Sequence, residues 1–287
     1  MGSTGICGFV IEHPKLCLEV ALVELESLHI HEEIIPEMAE ELVEKIPHDG
    51  VFIHPIIVDR GSLVVLDGMH RVAAAKEIGY HLIPVCLVDY PDPSIQIGCW
   101  YRMFKGATIR EAEEAFRSLG MEAIRMPYAD AQQLVERREA LTAFFAGGDC
   151  VAALATQDGI RQRYNAIRRI EVALASGHHM GYATDRDAPA RVASGEYSAG
   201  LVTPTLTKRE VVETALAGHV FAQKTTRHII PARPMFVSVP TGWLGGSVAA
   251  DEANLRLRSL LASKRLTLRP PGQVLDRRYD EELYFFE

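Results

Sequence analysis

The chain has 287 residues, 48% of them hydrophobic and 24% charged, with a formal net charge of −8; this is the composition of a globular protein with chain enough for one large domain or two ordinary ones. No apolar run approaches the roughly 18 residues of a membrane span, and Glu12, His13 and Lys15 stand where a signal peptide needs an apolar centre, so a cytoplasmic protein without a membrane partner is expected. Residues 1–125 hold 20 acids and 10 bases while residues 126–287 hold 18 and 20, about −10 against +2, and an acidic first half is a poor footprint for nucleic acid.

Leu18 to Glu26 alternates in part and reads as a strand. Pro36 to Ile46 reads as a helix opened by its proline, with Met38, Leu42, Val43 and Ile46 on one face. Two β-branched runs, Pro55 to Val58 and Leu63 to Leu66, flank Asp59-Arg60-Gly61-Ser62 and form a hairpin signature. Val72 to Ile78 is rich in helix formers and stops at Gly79; Leu82 to Tyr90 is a further strand. Thr108-x-x-Glu111 is a capping box opening a helix to Leu119, closed by Gly120. These elements describe an α/β unit over residues 1–125, followed by a second domain over 126–287.

The second part is less regular. Ala131 to Phe145 and Gly159 to Ser176 read as helices, separated by Gly147-Gly148-Asp149, and the polar stretch Gly177 to Ser198 reads as loop or mobile segment. Thr207-x-x-Glu210 caps a helix to about Ala217, with Gly218 as its stop. Ile229 to Val239 has extended character, and the tail after Arg265, with Pro270-Pro271-Gly272, reads as irregular. The five cysteines, Cys7, Cys17, Cys86, Cys99 and Cys150, are scattered without a Cys-x-x-Cys pair, which argues for a reducing compartment and against structural zinc. Cys86 reads as a small buried hydrophobe.

Four stretches carry chemistry. Asp67-Gly68-Met69-His70-Arg71 places charge where a strand turns into a helix; Gly68 allows the sharp turn, and the first helical N–H groups, with His70 and Arg71, suit an anion. The same residues could equally be an ordinary helix cap with solvated charges. His29-Ile30-His31-Glu32-Glu33 lies on a connection before the Pro36 helix, either solvated charge at a helix start or a loop carboxylate placed for catalysis. Trp100 is a core aromatic or the wall of a ligand pocket. Gln223-Lys224-Thr225-Thr226-Arg227-His228 concentrates two cations, two hydroxyls and an imidazole, able to hold a carboxylate or phosphate, or to lie on a solvated strand.

Together these segments resemble a known family, the free-serine kinases of the ParB/sulfiredoxin-like fold. The resemblance rests on His31-Glu32, Leu66-Asp67-Gly68-Met69-His70-Arg71, Val88-Asp89-Tyr90, Cys99-Trp100-Tyr101 with Phe104-Lys105-Gly106, and Val220-Phe221 with Lys224-Thr225-Thr226-Arg227-His228, five motifs in one order. It implies an α/β (α+β) protein whose ParB/sulfiredoxin-like N-terminal domain is joined by a second α/β domain closing over a shared cleft. It also implies phosphoryl transfer from ATP or ADP to the hydroxyl of free L-serine, or a related acceptor such as L-threonine, giving O-phosphoserine. The catalytic glutamate falls on Glu32, which follows His31 as in the family motif, with Glu33 as second choice and Asp67 and His70 also in the catalytic set. Asp67 suits Mg²⁺, and Asp67, Gly68, Met69, His70 and Arg71 would hold the nucleotide. Trp100, Lys224, Thr225, Thr226, Arg227 and His228 would enclose the amino acid.

Two departures stand out. Met69 occupies a position where the family usually has histidine, which leaves the donor nucleotide open, and residues 126–203 and the tail beyond Arg265 match nothing in the family. Within the same fold, a sulfiredoxin needs a cysteine where Met69 stands. The alternative, a ParB-like nucleotide-binding regulator or DNA-binding protein, wants a recognition helix and a basic surface, and neither is evident.

Overall fold

A computed structural model describes residues 8–154, 159–246, 248–275 and 278–287. Cys7 lies outside them. Helices and strands are mixed throughout, as the α/β expectation requires, and they gather into two units that the chain visits alternately. The first comprises Met1–Gln96, Val211–Val220 and His228–Glu287; the second comprises Ile97–Glu210 and Phe221–Arg227. The expected boundary near residue 125 is therefore displaced. The strand Gln96–Lys105 takes its sheet partners from His179–Thr184 and Ala199–Val202, so the chain from Ile97 onward is committed to residues far downstream.

The first unit is built on a five-stranded sheet ordered Phe9–His13, Leu16–Glu24, Leu82–Val88, Ile56–Asp59, Val65–Asp67. Leu82–Val88 lies at its centre, antiparallel to Leu16–Glu24 and parallel to Ile56–Asp59, and every one of its residues is buried. An unbroken apolar run is what a strand covered on both faces requires. Cys86 within it is fully buried, and burial pushes its thiol up to about 12, in keeping with a hydrophobic role. The helix Pro36–Asp49 ends in left-handed Gly50 and buries Ala39 and Ile46; Met38 is exposed, so the buried stripe runs through Ala39 instead. The helix Ala250–Ser263 lies against Leu16–Glu24, where the Asn254 amide bonds both backbone groups of Leu22 at 2.8 Å, replacing a strand partner.

The tail is regular, contrary to the sequence expectation. Glu282–Phe286 runs parallel to Ala232–Met235 and antiparallel to Leu266–Arg269, burying Leu283, Tyr284 and Phe286. The Pro270-Pro271-Gly272 stretch marks only the break between short strands.

In the second unit the sheet order is His179–Thr184, Gln96–Lys105, Ala199–Val202, Ala140–Ala146, Asp149–Leu154, Ala123–Arg125, with Thr226–Ile229 also pairing Gln96–Lys105. The single helix expected over Ala131 to Phe145 is divided into the helix Tyr128–Glu136 and the strand Ala140–Ala146, separated by left-handed Arg138. A short, largely apolar run carries no period that distinguishes a buried strand from a buried helix, and here the hairpin with Asp149–Leu154 through Gly147 and Gly148 decides it. Gly177 to Ser198, expected as loop, contains the strand His179–Thr184 and the helix Ala188–Ala193. The helices Ile160–Ala175 and Ile109–Ser118 match expectation, the latter with both bonds of the Thr108–Glu111 capping box formed. Thr207 and Glu210 make the same reciprocal contacts at the start of Lys208–Leu216.

Candidate active site

The Asp67 turn forms as its residues dictate. Val65–Asp67 ends, Gly68 adopts φ +102°, and the helix Met69–Ile78 begins at once. A side chain at Gly68 would meet Ile56 Cγ2 at 2.5 Å and Arg71 Nη2 at 2.8 Å, so both the conformation and the space demand glycine. Arg71 folds back across this glycine: its Nη1 donates to the carbonyls of His54 and Pro55 at 2.8 Å, and its Nη2 lies 3.8 Å from Asp67 Oδ2. Asp67 Oδ2 also accepts from Arg233, a buried residue paired on its other side to Glu281 Oε1 at 2.5 Å and stacked 5.5 Å over the Tyr279 ring. Arg233 and Glu281 are not among the residues expected from the sequence; they lie more than 160 residues from the turn, in the extended stretch and the tail respectively. No local signal could have found them.

His70 turns towards the connection that carries the glutamates. Its Nε2 accepts the Ile35 N–H at 3.1 Å, so Nε2 is unprotonated and a neutral ring carries its proton on Nδ1. His31 and Glu32 are both buried, with His31 Nε2 4.0 Å from Glu32 Oε1. Burial, and secondarily the electrostatic influence of His228, lower His31 to about 3, so it is a neutral imidazole at physiological pH. The His228 ring stands edge-on to His31 with centroids 5.3 Å apart, and its Nε2 is 2.8 Å from the Tyr90 hydroxyl. Tyr90 is itself buried, and its phenol is held well above the ordinary range by desolvation and by the nearby Asp59 carboxylate. Asp59 receives the Tyr90 N–H at 3.1 Å and the Ser62 hydroxyl at 2.5 Å, which ties this wall to the hairpin turn. The first unit thus brings buried His31, Glu32 and Tyr90 together with partly buried His228, and separately ties Asp67 to Arg71.

In the second unit, Trp100 is half-buried on the strand Gln96–Lys105, and its indole N–H donates to the Thr226 carbonyl at 3.0 Å. The Lys224 ammonium lies 5.2 Å from the centre of the Trp100 ring. Lys224 has φ +58°, a left-handed conformation that a non-glycine residue holds only when its surroundings impose it. Arg102 imposes it: fully buried and ion-paired with Glu171, it donates through Nη1 to the carbonyls of Lys224 at 3.0 Å and Trp100 at 2.7 Å. Thr225 spends its hydroxyl on the Ala222 carbonyl at 2.7 Å and is buried, which makes it a scaffold residue here. Arg227 Nη2 stands 3.6 Å from Asp185 Oδ1. Arg102, Glu171 and Asp185 were absent from the sequence reading; Arg102 sits two residues from Trp100 but resembles any arginine on a strand.

Among the described residues, no group of three or more His, Cys, Asp or Glu is arranged to hold a metal ion. Mg²⁺ needs less than that, since one carboxylate with water and substrate phosphates commonly suffices. Asp67, the carboxylate expected to hold Mg²⁺, stands at the end of its strand with Oδ2 engaged by Arg233. Among the described residues, no helix is long and apolar enough to cross a membrane.

No protein-family model matches the chain. An ATP-dependent L-serine kinase of Staphylothermus marinus is 28% identical over 249 residues, spanning 80% of this chain and 95% of the relative. An ADP-dependent L-serine kinase, SerK, of Thermococcus kodakarensis is 26% identical over 232 residues, spanning 79% and 93%. A ParB-like protein of Sulfolobus acidocaldarius is 28% identical over 208 residues, spanning 72% and 88%. Among solved structures, a free serine kinase in complex with AMP superposes with a TM-score of 0.64 at 26% identity, covering 78% of this chain and 93% of that one. C-terminally truncated SbnI from Staphylococcus aureus shares the fold, with a TM-score of 0.66 at 18% identity over 85% and 95%. In sequence and in fold alike, over roughly four-fifths of its length, this chain resembles the free L-serine kinases.

Proposed function

We propose that this protein is a free amino-acid kinase that transfers a phosphoryl group from ATP or ADP to the hydroxyl of L-serine, giving O-phosphoserine. The observation that carries the reading is the buried Glu32 carboxylate beside neutral His31, in a chain that resembles L-serine kinases from end to end of its matched region. A carboxylate in such a place orients the attacking hydroxyl and accepts its proton as the new O–P bond forms and the bond to the donor nucleotide breaks. Glu33, one residue further on and less buried, is the second choice for that role. Neutral His31 matters because a cation there would pair with Glu32 and lower its basicity.

The helix start at Gly68 and Met69, with His70 and Arg71, is assigned to the nucleotide phosphates. Mg²⁺ bound with the nucleotide would neutralise phosphate charge, and Asp67 is the residue assigned to hold it. Trp100, Lys224, Thr225, Thr226, Arg227 and His228 keep their assignment to the amino acid, Thr225 through its support of the backbone and Arg227 through a bond to the substrate carboxylate. L-Threonine differs from L-serine by one methyl group and is the natural second acceptor. Use of a nucleotide as donor supports a cytoplasmic site of action.

Single-turnover phosphorylation by Glu32→Gln and Glu33→Gln tests the base. Glu32→Gln should fold normally and lose on the order of 10³-fold in rate, with Glu33→Gln within about tenfold of the parent. Equal losses, or a larger loss at Glu33, would move the base to that residue.

A further inference from the structure

The Arg227–Asp185 pair is an unusual ion pair. Its closest approach, 3.6 Å, is too long for a hydrogen bond, and neither Arg227 Nε nor Asp185 Oδ1 makes one, although both atoms are buried. Buried polar atoms left in this state cost stability and call for a reason. Gly98 lies against both groups: a side-chain carbon there would sit 3.4 Å from Asp185 Oδ1 and 3.7 Å from Arg227 Nε, so the glycine keeps the space beside the pair open. Asp185 follows directly on the strand His179–Thr184, whose last residue is opposite Trp100. Thr184 and Trp100 also border an open cavity of about 570 Å³.

We infer that Asp185 is a specificity residue that binds the α-ammonium group of the amino acid while Arg227 binds its α-carboxylate. This rests on the kinase reading above and on the assignment of Arg227 to the substrate. A free amino acid carries its two charges on groups that share one α-carbon, of signs opposite to Asp185 and Arg227. Interposing it turns one loose ion pair into two charge-assisted, hydrogen-bonded ones, with each protein group keeping an opposite charge. Because the resting pair makes no hydrogen bond between its facing atoms, little is lost when it parts. The arrangement selects a free amino acid: a hydroxy acid without the amine leaves Asp185 unanswered, and a peptide-bound serine offers neither charge.

The test is calorimetric binding of L-serine and of 3-hydroxypropanoate, which lacks only the amine, to the full-length protein and to Asp185→Asn, with O-phosphoserine formation by the parent protein recorded in parallel. The parent should bind L-serine on the order of 50-fold more tightly than 3-hydroxypropanoate, and Asp185→Asn should reduce that preference to about threefold or less by weakening L-serine alone. Equal weakening of both ligands would make Asp185 a support for Arg227 and overturn the inference, as would an unchanged preference. If the parent binds L-serine with the stated preference but forms no phosphomonoester with either nucleotide, the kinase reading falls while the ammonium site stands.

Discussion

The two units differ in charge and in how they hold their functional residues. The first carries 24 acidic and 13 basic residues, net −11; the second carries 14 and 17, net +3. In the first, the candidate residues of the turn and the connection follow one another along the chain, and a cation from far downstream pairs with one of them, as Arg233 does with Asp67. In the second, the candidate cations Lys224 and Arg227 stand beside Trp100 and Asp185, and a buried arginine holds the backbone, as Arg102 does at the Lys224 carbonyl. The acidic unit thus secures a carboxylate with an arginine from far along the chain, and the basic unit secures Lys224 through the backbone that carries it.

Removing the cation that fixes the acidic unit should have the largest effect. Arg233→Met leaves Asp67 and Glu281 without their shared partner, and breaking a buried ion pair from one side costs about 3–5 kcal/mol. Urea unfolding should register that loss, and the KM for nucleotide should rise with it. A stability change near zero would mean that Asp67 is positioned by the turn alone.

Truncating the cation of the other unit should act on one substrate. Arg227→Ala should raise the KM for L-serine by on the order of 30-fold, with nucleotide KM little changed. The reverse pattern would assign Arg227 to the nucleotide.

The smallest effect is a pH dependence. His31 is held at about 3 in the fold against an ordinary value of 6.5, first by burial and then by His228. The unfolded chain therefore takes up a proton between those two values that the folded chain refuses, so stability rises with pH across that window and falls as pH drops below 6.5. The slope contributed by this residue is up to about 1.4 kcal/mol per pH unit, giving roughly 1–2 kcal/mol between pH 7 and 5. His31→Gln should flatten the curve; an identical slope in that variant would mean that His31 is not the group titrating.

These contrasts also explain what could be read in the sequence. The Asp67 turn was legible because strand, glycine and helix formers are contiguous, and the capping boxes at Thr108 and Thr207 because their bonds join residues three apart. The unit boundary was not legible: Gln96–Lys105 finds its neighbours about 80 to 100 residues later, and pairing at that range leaves no local mark. Ala140–Ala146 was misread because an apolar run of its length fits either periodicity. Arg102, Asp185 and Arg233 escaped for a shared reason: each acquires its role from a partner brought near by the fold, Glu171, Arg227 and Asp67 respectively.

The most direct measurement is phosphorus NMR of the purified protein with Mg²⁺, L-serine and either ATP or ADP, repeated with L-threonine. A new phosphomonoester resonance with L-serine and at least one donor is the expected result, and its intensity across the combinations identifies donor and acceptor together. Nucleotide binding without a phosphomonoester in any combination would contradict the kinase reading and favour a nucleotide-binding regulator.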